Sequence, residues 1–252
     1  MTVDLARRTS VSLVACLFGA AVVAQIGYPL TSGGARDGLT VATVVLVAVA
    51  SLVHAYLARR VRACAVLVLV CMGGGFAVEV LGVHTGLPFG TYRYTGGLGP
   101  SMFGVPVVVA FAWPMVAWPA ALAAHRLCRS FAARVAAGAW ALAAWDLFLD
   151  PQMVAAGHWT WAHPDPHLPG VPTVPLTNYA GWLAVSVLMS CALQAALRRS
   201  AGDDRWPLAF YVWTWASSAL ALAAFLGEPA AAVWTALAMG VVAVPLARTL
   251  WR

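Results

Sequence analysis

The sequence contains no lysine, so all fifteen of its positive charges are arginines. Charge is scarce altogether: Asp, Glu, Lys and Arg make up 10% of the residues, against about 25% in an ordinary soluble domain. So little charge excludes a water-exposed surface over most of the chain. The formal net charge of +6 does not argue for nucleic acid. The arginines fall in short clusters between apolar runs, which is an orientation signal in membrane proteins. The cysteines form no C-x-x-C pair. Cys16, Cys64, Cys71, Cys128 and Cys191 lie in or beside apolar runs and read as small hydrophobes rather than disulfides or ligands. Walker and dinucleotide glycine motifs are missing, so no nucleotide is expected. There is no internal repeat, low-complexity segment or linker, and residues 1–252 read as a single transmembrane domain.

Apolar length takes the place of charge. Hydrophobic residues make up 62% of the chain, in several runs near the ~20 residues that a membrane helix needs. The expected fold class is all-α, a polytopic transmembrane helix bundle of about eight spans. The candidate spans are 10–30, 38–58, 62–83, 103–124, 131–150, 177–197, 206–226 and 229–248. Met1–Arg8 is a basic cap on the first run, which continues to Leu30 and reads as a retained anchor. A cleavage site at Ala21–Ala24 is the alternative. The spans divide the arginines sharply. Arg7, Arg8, Arg59, Arg60, Arg62, Arg126, Arg129, Arg134, Arg198, Arg199, Arg205, Arg248 and Arg252 fall on one side, Arg36 and Arg93 on the other. This places both termini in the cytoplasm and the chain in the cell (cytoplasmic) membrane as a multi-pass protein among membrane lipids.

Against this background the acids stand out. Asp146 and Asp150 are four residues apart, which on a helix stacks them on one face. Acids at mid-membrane cost roughly 2.5–3.5 kcal/mol each on insertion scales. Two like charges this close in low dielectric do not both ionise cheaply. The pair is therefore expected to keep one proton and to offer one acid and one base at neutral pH. The alternative is a helix end with Asp150 solvated and only Asp146 buried. Glu79 follows Gly73-Gly74-Gly75 on the third span, with Gly75 on its own face. That pattern reads either as a packing seam or as a third acid of the site. With Glu228 in the turn before the last span, these acids gather in the outer half of the bundle.

The two longest connections, 84–102 and 151–176, lie at the same end. The first contains Tyr92-Arg93-Tyr94 among Gly and Pro that forbid regular helix. It reads as an interfacial aromatic belt, or as a cap whose Arg93 pairs a carboxylate. The second carries His158-Trp159-Thr160-Trp161, with His163 and His167 around Pro164 and Pro166, which is a poor pattern for a metal. Trp113-Pro114 and Trp118-Pro119 allow a kinked fourth span. Asn178, Tyr179, Gly181 and Trp182 open the sixth span; Asn178 can orient a water or a carboxyl, and Trp182 is an alternative belt residue.

Taken together, several stretches resemble the membrane carotenoid hydratases, a family that includes the bisanhydrobacterioruberin hydratases and enzymes that hydrate the open ends of lycopene or γ-carotene. They are Gly-Leu-Pro-Phe-Gly-Thr-Tyr-Arg-Tyr after a Glu-bearing helix, Asp-Leu-Phe-Leu-Asp-Pro-Gln-Met, Trp-Thr-Trp, and Pro-Leu-Thr-Asn-Tyr-Ala-Gly-Trp. The likeness is strongest over 70–185. The resemblance implies addition of water to a terminal carbon–carbon double bond of a carotenoid, without cofactor or metal. The substrate would be a C50 bisanhydrobacterioruberin-like or a lycopene- or γ-carotene-like end group held in the bilayer. Other enzymes of the carotenoid pathway are candidate partners. The family's acidic positions carry onto Glu79, Asp146 and Asp150, and its loop positions onto Tyr92, Arg93 and Asn178.

That chemistry suits these residues. Hydrating a trisubstituted alkene requires protonation to a tertiary cation and then capture by water, which a carboxylic acid and a carboxylate supply. Aromatic faces stabilise the cation by roughly 0.5–2 kcal/mol each; Trp145, Trp182, Tyr92 and Tyr94 are the candidates. Two other classes fit less of the sequence. A membrane prenyltransferase would use Asp-x-x-x-Asp for magnesium diphosphate but needs a second acidic motif, and a lycopene cyclase would share the protonation step but exclude water. A non-enzymatic carotenoid-binding or transport protein would use the buried acids as a proton relay.

Overall fold

The computed structural model describes residues 2–197 and 202–250, with side chains from residue 12 onward. Arg198, Arg199 and Arg252, and the side chains of Arg7 and Arg8, lie outside the described residues. Among the described residues seven helices are long and apolar enough to cross a membrane. A chain in lipid must satisfy its backbone polar groups internally, and helices do so within one segment. The protein is accordingly an all-α, multi-pass membrane bundle.

Helix α1 (Thr2–Gly27) ends in a 3₁₀ turn, Tyr28–Leu30. The second apolar run, Gly33–Thr85, is 53 residues long, about 80 Å if straight and more than twice a hydrocarbon core of about 30 Å. It is not straight. Arg60 has φ 65° inside it, a conformation that non-glycine residues rarely adopt. Beyond Arg60 the chain turns back, because Thr40 and Val44 near its beginning border the same cavity as Glu79 near its end. The break falls where the sequence separates spans two and three. The outgoing limb is α2 (Gly33–Val66); the return continues as a π-helical stretch, Leu67–Gly74, into α3 (Gly75–Thr85).

Helix α4 (Val108–Leu127) runs unbroken through Pro114 and Pro119 and lies at the centre, buried continuously from Trp113 to Ala124. It packs against α2, against α5 (Phe131–Ala143) and, more lightly, against α7 (Leu176–Ala196) and α8 (Arg205–Ala224). The alanines of its second half allow those close approaches. It starts later than the expected residue 103, because β2 (Ser101–Met102) and β3 (Val105–Pro106) form a tight hairpin. The two turn residues, Phe103 and Gly104, both have positive φ, the geometry that suits two-residue hairpins.

The expected fifth span is two helices. Helix α5 stops at Ala143, a tightened turn passes through Ala144 and Trp145, and α6 (Asp146–Ala155) begins at the first acid. The long connections contain paired strands instead of irregular chain. β1 (Tyr92–Tyr94) pairs antiparallel with β4 (Trp159–Trp161), and β5 (His167–Leu168) with β6 (Val171–Pro175). Helix α9 (Pro229–Leu250) closes the bundle against α8.

Candidate active site

Residues from α3, β1, α4, α6, β4 and α7 build the site. Asp146 and Asp150 occupy the first and fifth positions of α6, so both carboxyls lie on one helix face. Both are buried, as is Asn178, which projects from the first turn of α7. The Asn178 side-chain amide donates to Asp146 Oδ2 at 2.7 Å and also to Asp150 Oδ2. A carboxamide has two N–H bonds, so one group bridges both acids. Both carboxyls accept from the same Asn178 nitrogen, which makes them close neighbours. Trp159 Nε1 donates to the remaining Asp150 oxygen at 3.1 Å. Among the described residues, the buried Asp146 Oδ1 has no hydrogen-bond partner.

Glu79 is buried on α3 across the cavity from this pair. Its Oε2 accepts from Tyr92 OH at 2.5 Å and from Tyr94 OH at 2.9 Å. The glycines on its helix face explain its seat. A Cβ at Gly75 would overlap the Trp113 ring, and one at Gly82 would meet Tyr92 OH at 2.9 Å. Gly73 and Gly74 have no such contact, so the close packing of the triplet rests on Gly75 alone.

The 84–102 connection folds over the cavity by strand pairing. Register sets Tyr92 opposite Trp161, Arg93 opposite Thr160 and Tyr94 opposite Trp159. Side chains alternate along a strand, so all four aromatics share one face and Arg93 and Thr160 the other. The rings interlock, Tyr92 with Trp161 at 5.7 Å and Tyr94 with Trp159 at 5.6 Å between centroids. They roof a cavity whose other walls include Glu79, Asp150, Asn178, Trp113 and Trp182. Trp113 and Trp182 stack at 4.5 Å. A turn at Gly90, φ 85°, seats the loop against α7, where Gly181 leaves room for the Pro88 carbonyl. Thr95 N donates to the His158 carbonyl at 2.8 Å and ties the two connections together.

Two expected residues stand elsewhere. Arg93 is exposed, and among the described residues it forms no ion pair with any carboxylate, because strand alternation turns it away from the cavity. Trp145 is buried but packs on Phe148 and Tyr211 outside this cavity. Glu228 is half-buried at the start of α9 and does not border the cavity. Of the histidines, His158 is buried with Nε2 3.6 Å from Asp37, His167 lies 3.4 Å from Asp165, and His163 is exposed. Phe89, Trp113, Trp159 and Trp161 border the cavity without having been singled out as site residues. The matching alternation of Tyr-Arg-Tyr and Trp-Thr-Trp was the available signal.

The family model described as "Carotenoid biosynthesis protein" matches residues 39–245, a range that includes every residue of the acid cluster and its aromatic roof. A curated protein named bisanhydrobacterioruberin hydratase, from Haloarcula japonica, is 34% identical over 125 residues, covering 45% of this chain and 40% of that protein. The chain thus spans about two-fifths of the length of the relative it matches. No solved structure matches it. With well over half of its length matched, the chain belongs to the carotenoid biosynthesis protein family.

Proposed function

We propose that this protein is a cofactor-independent carotenoid hydratase acting on a terminal double bond of an acyclic end group. The observation that carries this reading is the Asp146–Asn178–Asp150 bridge at the edge of an aromatic cavity. The name of the Haloarcula relative, a bisanhydrobacterioruberin hydratase, supports a C50 polyene as the substrate.

Asp150 borders the aromatic cavity and Asp146 does not, so the protonated Asp150 meets the alkene. Its proton goes to the less substituted carbon and the π bond opens to a tertiary cation. The rings of Tyr92, Tyr94, Trp159 and Trp182, which line the cavity, stabilise that charge. Water adds to the cation, and the proton it sheds passes to the carboxylate of Asp146. Exchange between the neighbouring carboxyls restores the starting state, for a net addition of one water. Glu79, held by two phenols, stabilises the cation from across the cavity. Asn178 holds both acids at their spacing.

The reaction belongs at an end of the bundle. A carotenoid is about as long as a bilayer is thick, so its tips lie near the interfaces. We read the bundle as eight passes with both termini cytoplasmic, counting the folded Gly33–Thr85 run as two, in the cell membrane.

Co-expression with a pathway making lycopene or acyclic C50 carotenoids tests the proposal. Wild type should give pigment heavier by one water per hydrated end, whereas Asp146→Asn and Asp150→Asn should accumulate the unhydrated carotenoid. Full hydrated product from either variant at normal protein levels would overturn the assignment.

A further inference from the structure

A second chamber adjoins the aromatic cavity. It lies between α1, α2, α6 and α8. Both spaces are bounded by Thr40, Val44, Met115, Leu149 and Met153, so one layer of side chains separates them. Their chemistry differs. The aromatic cavity is built of rings around Glu79 and Asp150, whereas the second chamber presents Gln25, Tyr28, Thr43, Gln152, Ser217 and Ser218. These residues lie on helix ends that share the level of the acids: the last turns of α1, the first turns of α2 and the second half of α8.

Part of this polar lining is satisfied within the protein, since Gln25 accepts from Trp213 Nε1 at 2.9 Å and Ser217 donates to the Thr214 carbonyl at 3.5 Å, but a buried polar group left without a partner is costly in an apolar bundle. Trp145 supplies a second observation. It lines this chamber, is 1% exposed, and its indole N–H has no partner. The next residue is Asp146, fully buried, with Oδ1 equally unpartnered. Buried waters characteristically satisfy orphaned groups of this kind.

We propose that this chamber is the binding site and entry route of the reacting water, with Trp145 on its wall and Asp146 the next residue beyond it. The inference rests on the hydratase reading above. It assigns the two reactants to separate openings, with the polyene tip among the aromatic rings and water at the polar chamber. It also gives the Asp146 carboxylate its place as acceptor of the proton that water sheds. Trp145 becomes a positioning residue for water instead of a face for the cation.

Two measurements test it. In a chain whose five native cysteines are replaced, Ser217→Cys should react with a charged, membrane-impermeant methanethiosulfonate added to membranes, and Ala112→Cys in the aromatic cavity should not. Absence of labelling at position 217 would overturn the aqueous route whether or not the protein is a hydratase. Ser218→Leu, which fills the chamber, should cut hydrated product by roughly tenfold or more through kcat, with KM for the carotenoid unchanged. Thr43→Val, which keeps shape and removes a hydroxyl, should act in the same direction if Ser218→Leu fails to accumulate. Full hydration by a folded, filled variant, or a change in KM alone, would reject the chamber as the water supply. Wild-type protein that makes no hydrated product would instead reject the hydratase reading, and the labelling result would still decide whether water enters here.

Discussion

Asn178 organises the acid pair more than any other uncharged side chain among the described residues. It is the only amide that touches both members of the acid pair among the described residues, and an amide donates to carboxylates without adding charge. Replacing it by leucine leaves two buried carboxyls without their common donor. Asn178→Leu should lower hydrated product by about a hundredfold or more while the protein still accumulates, as pigment analysis beside an immunoblot would read. Arg93→Gln should change product by less than about twofold, since an exposed, unpaired charge contributes little, and the same assay checks it. Tyr92 has a pH consequence. Burial first, and then the charge of Glu79, push its phenol above the ordinary tyrosine value. Its contribution to stability is complete below that value and is lost only as pH rises through the higher folded value. The ultraviolet titrations of wild type and Tyr92→Phe should therefore coincide up to about pH 10.

At the scale of the element, α3 is a helix with one working face. Gly75, Glu79 and Gly82 lie three or four residues apart and meet Trp113, the two tyrosines and Tyr92 respectively. Gly75→Ala drives a methyl into the Trp113 ring, which is 1% exposed and stacked on Trp182. Overpacking of this kind costs about 1–3 kcal/mol. The variant should melt at lower temperature in detergent and lose product, whereas Gly74→Ala, which meets only a backbone oxygen at 3.8 Å, should do neither. The carboxylate positions on α3 and α6 and the glycine seam were legible in the sequence, because i to i+4 spacing is a local property. The pairing of β1 with β4 was not. Each strand is three residues long, and their register joins residues about seventy positions apart.

For the whole molecule, the opposite end of the bundle carries a lock. Arg59 Nη2 donates to Asp204 at 2.6 Å, with the Arg59 side chain 3% exposed. His54 accepts from Trp118 Nε1 at 3.0 Å and approaches the Asp203 carbonyl at 3.0 Å. This cluster joins the fold-back at Arg60 to the segment entering α8. Removing one partner of a buried pair costs about 3–5 kcal/mol, most of it the stranded charge. Asp204 keeps some exposure, so Arg59→Met should fall at the low end, seen as a lower melting temperature with the acid cluster intact. Reporter fusions at both ends of the chain should read cytoplasmic, as the arginine asymmetry requires.

Much of this protein follows from its sequence. Scarce charge and long apolar runs impose a multi-pass helical bundle, because unpaired backbone and unpaired charge are costly in hydrocarbon. The same cost makes Glu79, Asp146 and Asp150 conspicuous as candidates. Tertiary structure alone decided how they are arranged. It turned the chain back at Arg60, drew Asn178 between the two aspartates, set four aromatics over the cavity and pointed Arg93 outward. It also moved Trp145 to a different chamber. Hydropathy and spacing are properties of neighbouring residues; which side chains share a cavity depends on contacts between segments far apart in the chain.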